Sequence, residues 1–223
     1  ILKGLNAYFF WVKMTTLDQK LEESFRDLDI SRDKQDSLRL YLGLLHRKDI
    51  PTWEHSIRVG LKGVEVAEFT RIMDPKAMFY SGLLHDVGKC LTDDESLKKT
   101  EGFGPKDMQE LRRHPKDGYR LLKGVHDFAA EILVRHHYFP ESGYPKRLPS
   151  ADIDFSKGTE VNIFFYARVL ALIDFHDAMM NRENDKFGDR PKLLTRDEGK
   201  KIILGANQDQ EYFLNQLYNH EIF

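Results

Sequence analysis

The chain contains almost no cysteine, since Cys90 is the only one among its 223 residues. A single cysteine excludes an internal disulfide and is typical of proteins that stay in a reducing compartment. We therefore expect a cytoplasmic protein in which Cys90 is a small, buried side chain and not a nucleophile.

Long apolar runs are also missing. Residues 1–13 are apolar and aromatic, but they are shorter than the roughly 20 residues that span a bilayer, and they lack the cleavage site of a secretory signal. We expect no membrane partner, and we interpret residues 1–13 as a leader or vector-derived segment, or as an element used for packing or dimerisation. Because no low-complexity linker interrupts residues 14–223, we expect a single domain there.

An excess of charge of one sign is absent as well, because the formal net charge is -2. This balance gives no overall electrostatic field for a nucleic-acid polymer, so we expect no DNA or RNA partner. Glycine-rich phosphate loops are missing too. An anionic small molecule would have to be bound by local charge, and several lysines and arginines lie beside the motifs described below.

Apolar residues at helical spacing dominate what is present. Leucines recur at helical intervals before Pro51, and three longer helices are predicted over Ala77–Val87, Phe128–His137 and Val161–Met180. No strand-like alternation competes with this pattern. The sequence therefore predicts an all-α fold.

Two segments are predicted to be loops. Thr92–Lys106 is polar and contains two glycines and a proline, and Phe139–Thr159 contains three prolines and two glycines and lacks helical periodicity. Connectors of more than about 12–15 residues in a compact domain are often binding loops or lids, so we predict that both segments handle substrate. Further on, Thr195 and Glu198 have the spacing of a capping box. The helical segment that follows Thr195 is predicted to be scaffold.

Histidine and aspartate stand together in apolar surroundings. The adjacent pair His85-Asp86 ends an apolar helical run, which is a costly arrangement unless a metal ion binds there. Imidazole and carboxylate are ligands for zinc, manganese, iron and nickel, and a carboxylate can bridge two ions, which makes Asp86 the candidate bridge. Asp177 lies one turn after Asp174 and is a candidate to orient a ligand or to bind a water molecule that faces the metal. The seven candidate ligands are His55, His85, Asp86, His114, His136, His137 and Asp174.

The order of these motifs resembles the HD superfamily of metal-dependent phosphohydrolases, and its HD-GYP branch in particular. The resemblance runs from about residue 50 to about residue 220. Two departures stand out, because Tyr138 occupies the place of a usual glutamate and Glu141-Ser142 the place of an acidic-glycine pair. The matching segments are His85-Asp86-Val87-Gly88-Lys89, His114-Pro115-Lys116-Asp117-Gly118, His136-His137, Gly143-Tyr144-Pro145 and Asp174-Phe175-His176-Asp177-Ala178.

The resemblance implies a compact HD-domain helical bundle with a binuclear metal site in its core. It implies two divalent ions, iron or manganese, with zinc, nickel and magnesium as alternatives. A third ion is not expected, because Pro51 stands where some members carry a ligating glutamate. Matching the family pattern, His55, His85, Asp86 and Asp174 would hold one ion, and Asp86, His114, His136 and His137 the other.

The resemblance also implies a function, that of a metal-dependent phosphodiesterase acting on a cyclic dinucleotide such as cyclic di-GMP through attack of a metal-bound hydroxide. Asp86 and Lys89 would be catalytic, with Lys89 contacting the attacked phosphate. Gly143, Tyr144, Pro145 and Arg182 would bind substrate, with Tyr144 stacking on a base or shaping the pocket.

Three other functions remain open at this point. The same ligands would serve an HD-type phosphohydrolase acting on mononucleotides or a di-iron oxygenase of the HD superfamily. A non-catalytic nucleotide receptor is the third alternative. The partner is in every case a small molecule, and the oligomeric state is left open.

Overall fold

The part of the chain that the structure describes is built from helices. The computed structural model describes residues 16–140, 142–150, 153–181 and 194–223, and no strand occurs within these ranges. The prediction of an all-α fold is confirmed. The predicted leader at residues 1–13 and the candidate substrate residue Arg182 lie outside the described residues.

The helices follow one another with short connections. A 3₁₀ turn over Val87–Leu91 follows α4, and a second one over Gln208–Gln210 precedes α11. The α-helices are α1 Thr16–Asp27, α2 Arg32–Lys48, α3 Ile50–Thr70, α4 Pro75–Leu84, α5 Asp94–Lys98, α6 Pro105–Leu111, α7 His114–Leu122, α8 Asp127–Leu133, α9 Lys157–Asn181, α10 Arg196–Ala206 and α11 Glu211–Asn219.

Two of the three long predicted helices end earlier than the sequence pattern indicated. The helix predicted over Ala77–Val87 begins at Pro75 and stops at Leu84, and the one predicted over Phe128–His137 stops at Leu133. In both cases the apolar run continues past the end of the helix into a turn that packs in the interior. The apolar pattern of the sequence therefore overstates the length of the helix. Three of the metal-candidate histidines, His85, His136 and His137, therefore lie in the turns that follow these helices.

The segment Thr92–Lys106 contains a short helix, which corrects the prediction of a loop. It contains α5, whose N-terminus is capped by the Asp93 side chain accepting from the Ser96 backbone N–H at 2.8 Å. Five residues are too short for periodicity to show in the sequence. Likewise, α9 begins at Lys157, inside the segment predicted as a loop to Thr159.

The buried core consists of two apolar clusters, and α3 and α8 contribute side chains to both. Val59 and Ile132 belong to one cluster, while Ile57 and Leu133 belong to the other. All four side chains are fully buried. Helices α3 and α8 are thus the central elements of the bundle, and each leads to residues of the candidate site.

Two glycines permit the close packing that brings the site together. A Cβ atom on Gly82 of α4 would lie 2.6 Å from the Cα atom of Gly60 on α3, and one on Gly88 would collide with the carbonyl oxygen of His114. The first contact lets α4 lie directly against α3. The second lets the turn after Asp86 lie directly against the start of α7.

None of the helices within the described ranges combines the length and the apolar character needed to cross a membrane.

Candidate metal centre

The structure brings all seven candidate ligands into one cluster. They come from five parts of the fold: α3, the turn after α4, the start of α7, the turn after α8, and α9. Five of the seven are buried, while His137 and Asp174 are partly exposed at the edge of the cluster. That these residues bind metal stays a prediction. The buried members are His55, His85, Asp86, His114 and His136.

The ligand atoms form overlapping groups that could each hold an ion. Within every group the nitrogen and oxygen atoms lie within 4.8 Å of one another. One group is at the α3–α4 side, one is at the α7–α8 side, and a third lies between them. The groups are His55, His85 and Asp86; His114, His136 and His137; and His85, His136 and Asp174.

Asp86 belongs to one outer group and also approaches the other. Its Oδ1 atom is 3.3 Å from Nε2 of His114, whereas its Oδ2 atom is 3.4 Å from Nε2 of His85 and 3.7 Å from Nε2 of His55. The two oxygens of one carboxylate thus face different groups of imidazoles. This is the arrangement that a bridging carboxylate needs.

Backbone carbonyls fix the orientation of three of the imidazole rings. The Nδ1 atoms of His85 and His114 lie 2.7 Å and 2.6 Å from the carbonyl oxygens of residues 82 and 111, and Nδ1 of His136 contacts the carbonyl of residue 133. A carbonyl oxygen only accepts hydrogen bonds, so each Nδ1 carries the proton. The neutral ring then presents the lone pair of Nε2 to the centre of the cluster.

These lone pairs face one another at short range. The Nε2 atoms of His55 and His85 are 3.1 Å apart, and those of His114 and His136 are 3.3 Å apart. Two imidazole lone pairs directed at each other repel, and a cation that accepts from both removes the repulsion. The cluster therefore fits a metal ion by its chemistry, with nitrogen and carboxylate donors suited to divalent transition metals.

Most of the protonation states also suit metal binding. His85 is the exception: burial lowers its pKa, but the charge of Asp86 and the hydrogen bond and charge of Asp174 outweigh burial and raise that pKa. Burial lowers the pKa of His136 to about 4 and holds the pKa of His114 well below its ordinary value. Burial alone would raise the pKa of Asp86, but the charge of Lys89 and the surrounding histidines outweigh it and lower that pKa well below its usual value. Neutral imidazole and ionised carboxylate are the forms that bind metal.

Lys89 is the cation nearest to the candidate bridge. Its Nζ atom lies 2.5 Å from Oδ2 of Asp86, and its side chain lines the cavity described below. An ammonium group has three N–H donors, so the hydrogen bond to Asp86 leaves two for other acceptors. Lys89 is thus placed at the boundary between the cluster and the cavity.

Asp177 contacts the candidate ligand His55, and its role in orienting that ligand stays a prediction. Its Oδ2 atom accepts from Nδ1 of His55 at 2.6 Å, and its oxygens also accept from Nε and Nη2 of Arg58 at 2.8 Å and 3.0 Å. Asn181 donates a further hydrogen bond at 2.9 Å. The sequence reasoning missed Arg58, although its place one turn after His55 on α3 was a signal.

The segment Gly143-Tyr144-Pro145 shapes the edge of the cluster through its tyrosine. The Tyr144 ring stacks on the His137 ring, with centroids 4.6 Å apart, and the Arg112 guanidinium lies 5.5 Å from the Tyr144 centroid. Tyr144 N–H donates to the carbonyl of His137 at 2.9 Å. Gly143 and Pro145 are buried, and of these three residues Tyr144 is the one that lines the cavity.

A cavity of about 790 Å³ opens from the cluster. One face of α9 forms its floor, through Arg168, Ala171, Asp174, Phe175 and Ala178. The segment around Phe103 lines another side, and it is held by the carboxylate of Asp107, which accepts from the backbone N–H of Gly104 at 2.8 Å and from Lys99 at 2.7 Å. No sequence motif indicated this role of Asp107.

The last part of the chain is more than scaffold, which corrects the prediction for the segment after Thr195. Ala206 at the end of α10 and Asn207 after it line the same cavity. The packing of α10 against α9 brings them there. The sequence could not show this, because neither residue belongs to a recognisable motif.

The fold and the cluster together define a helical protein with a buried histidine and aspartate site that could hold metal. Residues 52–179 match the HD domain family, which is more than half of the chain. The chain therefore belongs to the HD-domain family. The resemblance to the HD superfamily is confirmed.

Curated relatives carry phosphodiesterase names. A cyclic di-GMP phosphodiesterase of Thermotoga maritima is 27% identical over 222 residues, which cover 94% of this chain and 52% of that protein. A cyclic di-GMP phosphodiesterase of Pseudomonas aeruginosa is 28% identical over 155 residues, which cover 67% of this chain and 35% of that protein. A 3'3'-cGAMP-specific phosphodiesterase of Vibrio cholerae is 30% identical over 107 residues, which cover 47% of this chain and 22% of that protein. The chain spans about half the length, or less, of these relatives.

Proposed function

We propose that this chain is a metal-dependent phosphodiesterase that hydrolyses a cyclic dinucleotide such as cyclic di-GMP. The observation that carries the proposal is a buried histidine and aspartate cluster that opens, beside Lys89, into a cavity of about 790 Å³. This volume is in the upper part of the range of roughly 300–1,000 Å³ for small-molecule sites, which suits a dinucleotide better than a mononucleotide. The names of the relatives support the same class of substrate.

The proposal includes two divalent ions, iron or manganese, with zinc, nickel and magnesium as alternatives. His55, His85 and Asp174 would hold one of them, and His114, His136 and His137 the other. Asp86 would belong to both, because its two oxygens face the two groups. Asp177 would support the first set by accepting the Nδ1 proton of His55.

Such ions, when bound, supply Lewis acidity toward a phosphoryl oxygen and lower the pKa of a water molecule. The side chains of the protein would supply the remaining interactions. Asp86 contributes a fully ionised carboxylate in a buried position. Lys89 contributes the two N–H donors that Asp86 does not use, and these would bind the oxygens of the attacked phosphate and offset the charge that builds up on them.

Tyr144 is proposed to shape the pocket and not to stack on a base. His137 and Arg112 already lie against its ring. Gly143 and Pro145 would act through Tyr144, by forming the turn that carries it, and Arg182 is proposed to reach a second phosphate.

The test uses the chain loaded with manganese or iron in the absence of oxygen. Cyclic di-GMP, 3'3'-cGAMP and a panel of mononucleotides are offered, and products are separated by chromatography. Asp86→Ala should lose metal and turnover together, whereas Lys89→Met should keep metal and lose about 10²–10³ in kcat. Lys98→Met is the matched control, because Lys98 makes a similar contact with Asp94 at 2.7 Å on the exposed surface.

Each outcome assigns the chain to one function. Hydrolysis of mononucleotides alone would identify a mononucleotide phosphohydrolase. A requirement for oxygen together with bound iron would identify an oxygenase, and tight binding without turnover in every metal form would identify a receptor. Full activity of Asp86→Ala would contradict the proposed site itself.

A further inference from the structure

Arg168 and the candidate ligand Asp174 are both residues of α9. The two residues are six positions apart, which corresponds to a rise of about 9 Å along the helix. Both line the main cavity, and the small side chains of Ala171 and Ala178 keep the floor around Asp174 open. A group bound at Arg168 would thus be about one nucleoside away from a phosphate bound at the cluster.

The guanidinium of Arg168 is held in place by neighbours from the connection between α10 and α11. Nη2 donates to Asp209 at 2.8 Å and 3.1 Å and to Asn207 at 3.0 Å, and Nε donates to Asp209 at 3.3 Å. The guanidinium carbon lies 5.3 Å from the centroid of Phe139. The Arg168 side chain is only 14% exposed, so its orientation is fixed before any ligand binds.

One nitrogen of Arg168 remains available. All of its hydrogen bonds come from Nε and Nη2, so the two N–H groups of Nη1 have no acceptor within the described part of the chain. Asp209 already balances the positive charge, which makes the site poorly suited to an additional phosphate and better suited to a neutral acceptor. The carbonyl and ring nitrogen of a purine are such acceptors.

A side cavity of about 270 Å³ surrounds this arginine. Four of its lining residues also line the main cavity, so the two spaces adjoin. Its walls combine the aromatic ring of Phe139 with polar groups, a combination that suits a flat heterocycle. The lining residues are Phe139, Pro140, Arg168, Ala206, Asn207 and Asp209.

We propose that Arg168 is a specificity-determining residue whose Nη1 donates to the purine base of the substrate farther from the attacked phosphate. The subsite would favour guanine over adenine. Guanine presents two acceptors, O6 and N7, on the edge that an arginine reads, whereas adenine presents an N6 donor in place of O6. This inference rests on the proposed function, because it assumes that a dinucleotide binds at the cluster.

The test compares the manganese-loaded chain with Arg168→Met and Arg168→Lys. The value of kcat/KM is measured for cyclic di-GMP and for cyclic di-AMP. If one of these dinucleotides is not hydrolysed, its inhibition constant is measured against hydrolysis of the other. The preference for the guanine dinucleotide should fall by about tenfold in both variants. Arg168→Lys keeps the charge and an N–H donor but loses the planar guanidinium that carries Nη1, so it separates loss of the donor geometry from loss of the charge.

Arg39→Met is the matched control. Arg39 also pairs with a carboxylate, that of Glu22 at 2.8 Å, and lies 4.8 Å from the ring centroid of Phe25, but it does not line the cavity. The control should keep the wild-type preference. Equal losses for guanine and adenine dinucleotides, or no loss, would overturn the subsite alone. A wild-type chain that hydrolyses no cyclic dinucleotide would overturn the proposed function, and the subsite with it.

Discussion

At the scale of single residues, Asp177 connects three other side chains beside the cluster. It accepts from the His55 ring, from two nitrogens of Arg58 and from Asn181. Burial alone would raise its pKa, but the hydrogen bond and charge of His55, together with Arg58, lower that pKa to about 2. Asp177 therefore stays ionised and holds His55 with Nε2 directed to the other ligands.

Replacing Asp177 with asparagine should weaken metal binding. The amide is a weaker acceptor than the carboxylate, so His55 would lose its fixed orientation, and partners of this kind are typically worth 10–100-fold in metal affinity. The measurement is a competition between the protein and a chelator of known affinity for manganese.

Glu22→Gln is the control for this change, because it also removes a carboxylate that holds an arginine, at a place remote from the cluster. Its affinity for manganese should match that of the wild type. An unchanged affinity in Asp177→Asn would show that His55 does not depend on Asp177 for its orientation.

At the scale of elements, the position of the turn after α4 decides whether the cluster can form. Gly88 lies against the start of α7, at the carbonyl of His114 and the backbone N–H of Gly118. This contact sets the spacing between Asp86 and His114. The two halves of the cluster thus depend on how closely one turn approaches one helix.

Gly88→Ala should push this turn away from α7. The added methyl group has no room, and such overpacking typically costs about 1–3 kcal/mol in free energy of unfolding. Because Asp86 would move relative to His114, we also expect fewer bound metal ions per chain. Urea unfolding and elemental analysis measure the two effects.

The matched control is Gly43→Ala on α2, where an added Cβ would meet nothing within 4 Å. It should stabilise the protein by about 0.5–1 kcal/mol, because alanine favours the helix over glycine. Full metal content in Gly88→Ala would mean that the close approach of the turn is not required.

The helical fold could be predicted because it depends on local patterns of residue type and spacing, whereas the gathering of the ligands was expected from the resemblance to the HD superfamily. The sequence did not predict the walls of the cavity. Arg168 and Asp209 are 41 positions apart, and only the packing of α9 and α10 brings them together. Nor did periodicity show α5, whose five residues make little more than one turn.

At the scale of the whole molecule, the candidate ligands connect parts of the chain as distant as α3 and α9. Metal ions that bind the folded state and not the unfolded chain stabilise it by mass action, by about 2.7 kcal/mol at a hundredfold excess over Kd. For a protein of this size we expect Tm to rise by about 5–10 °C when metal is added to chelator-treated protein. Calorimetry at several manganese concentrations measures it.

Asp86→Ala should remove most of this dependence, and His220→Ala should retain it, because His220 is exposed and belongs to none of the ligand groups. A Tm that does not respond to any divalent metal would argue against a metal centre in the folded chain.

Three of the imidazole rings are oriented by main-chain carbonyls, at residues 82, 111 and 133, and this has a consequence for genetics. Every amino acid carries the same carbonyl, so no substitution at these positions deletes the acceptor. A saturation-mutagenesis map of this protein would detect the contribution of Asp177 but would not detect that of these three carbonyl groups. Detecting them requires chemical editing of the main chain itself, such as an ester in place of an amide.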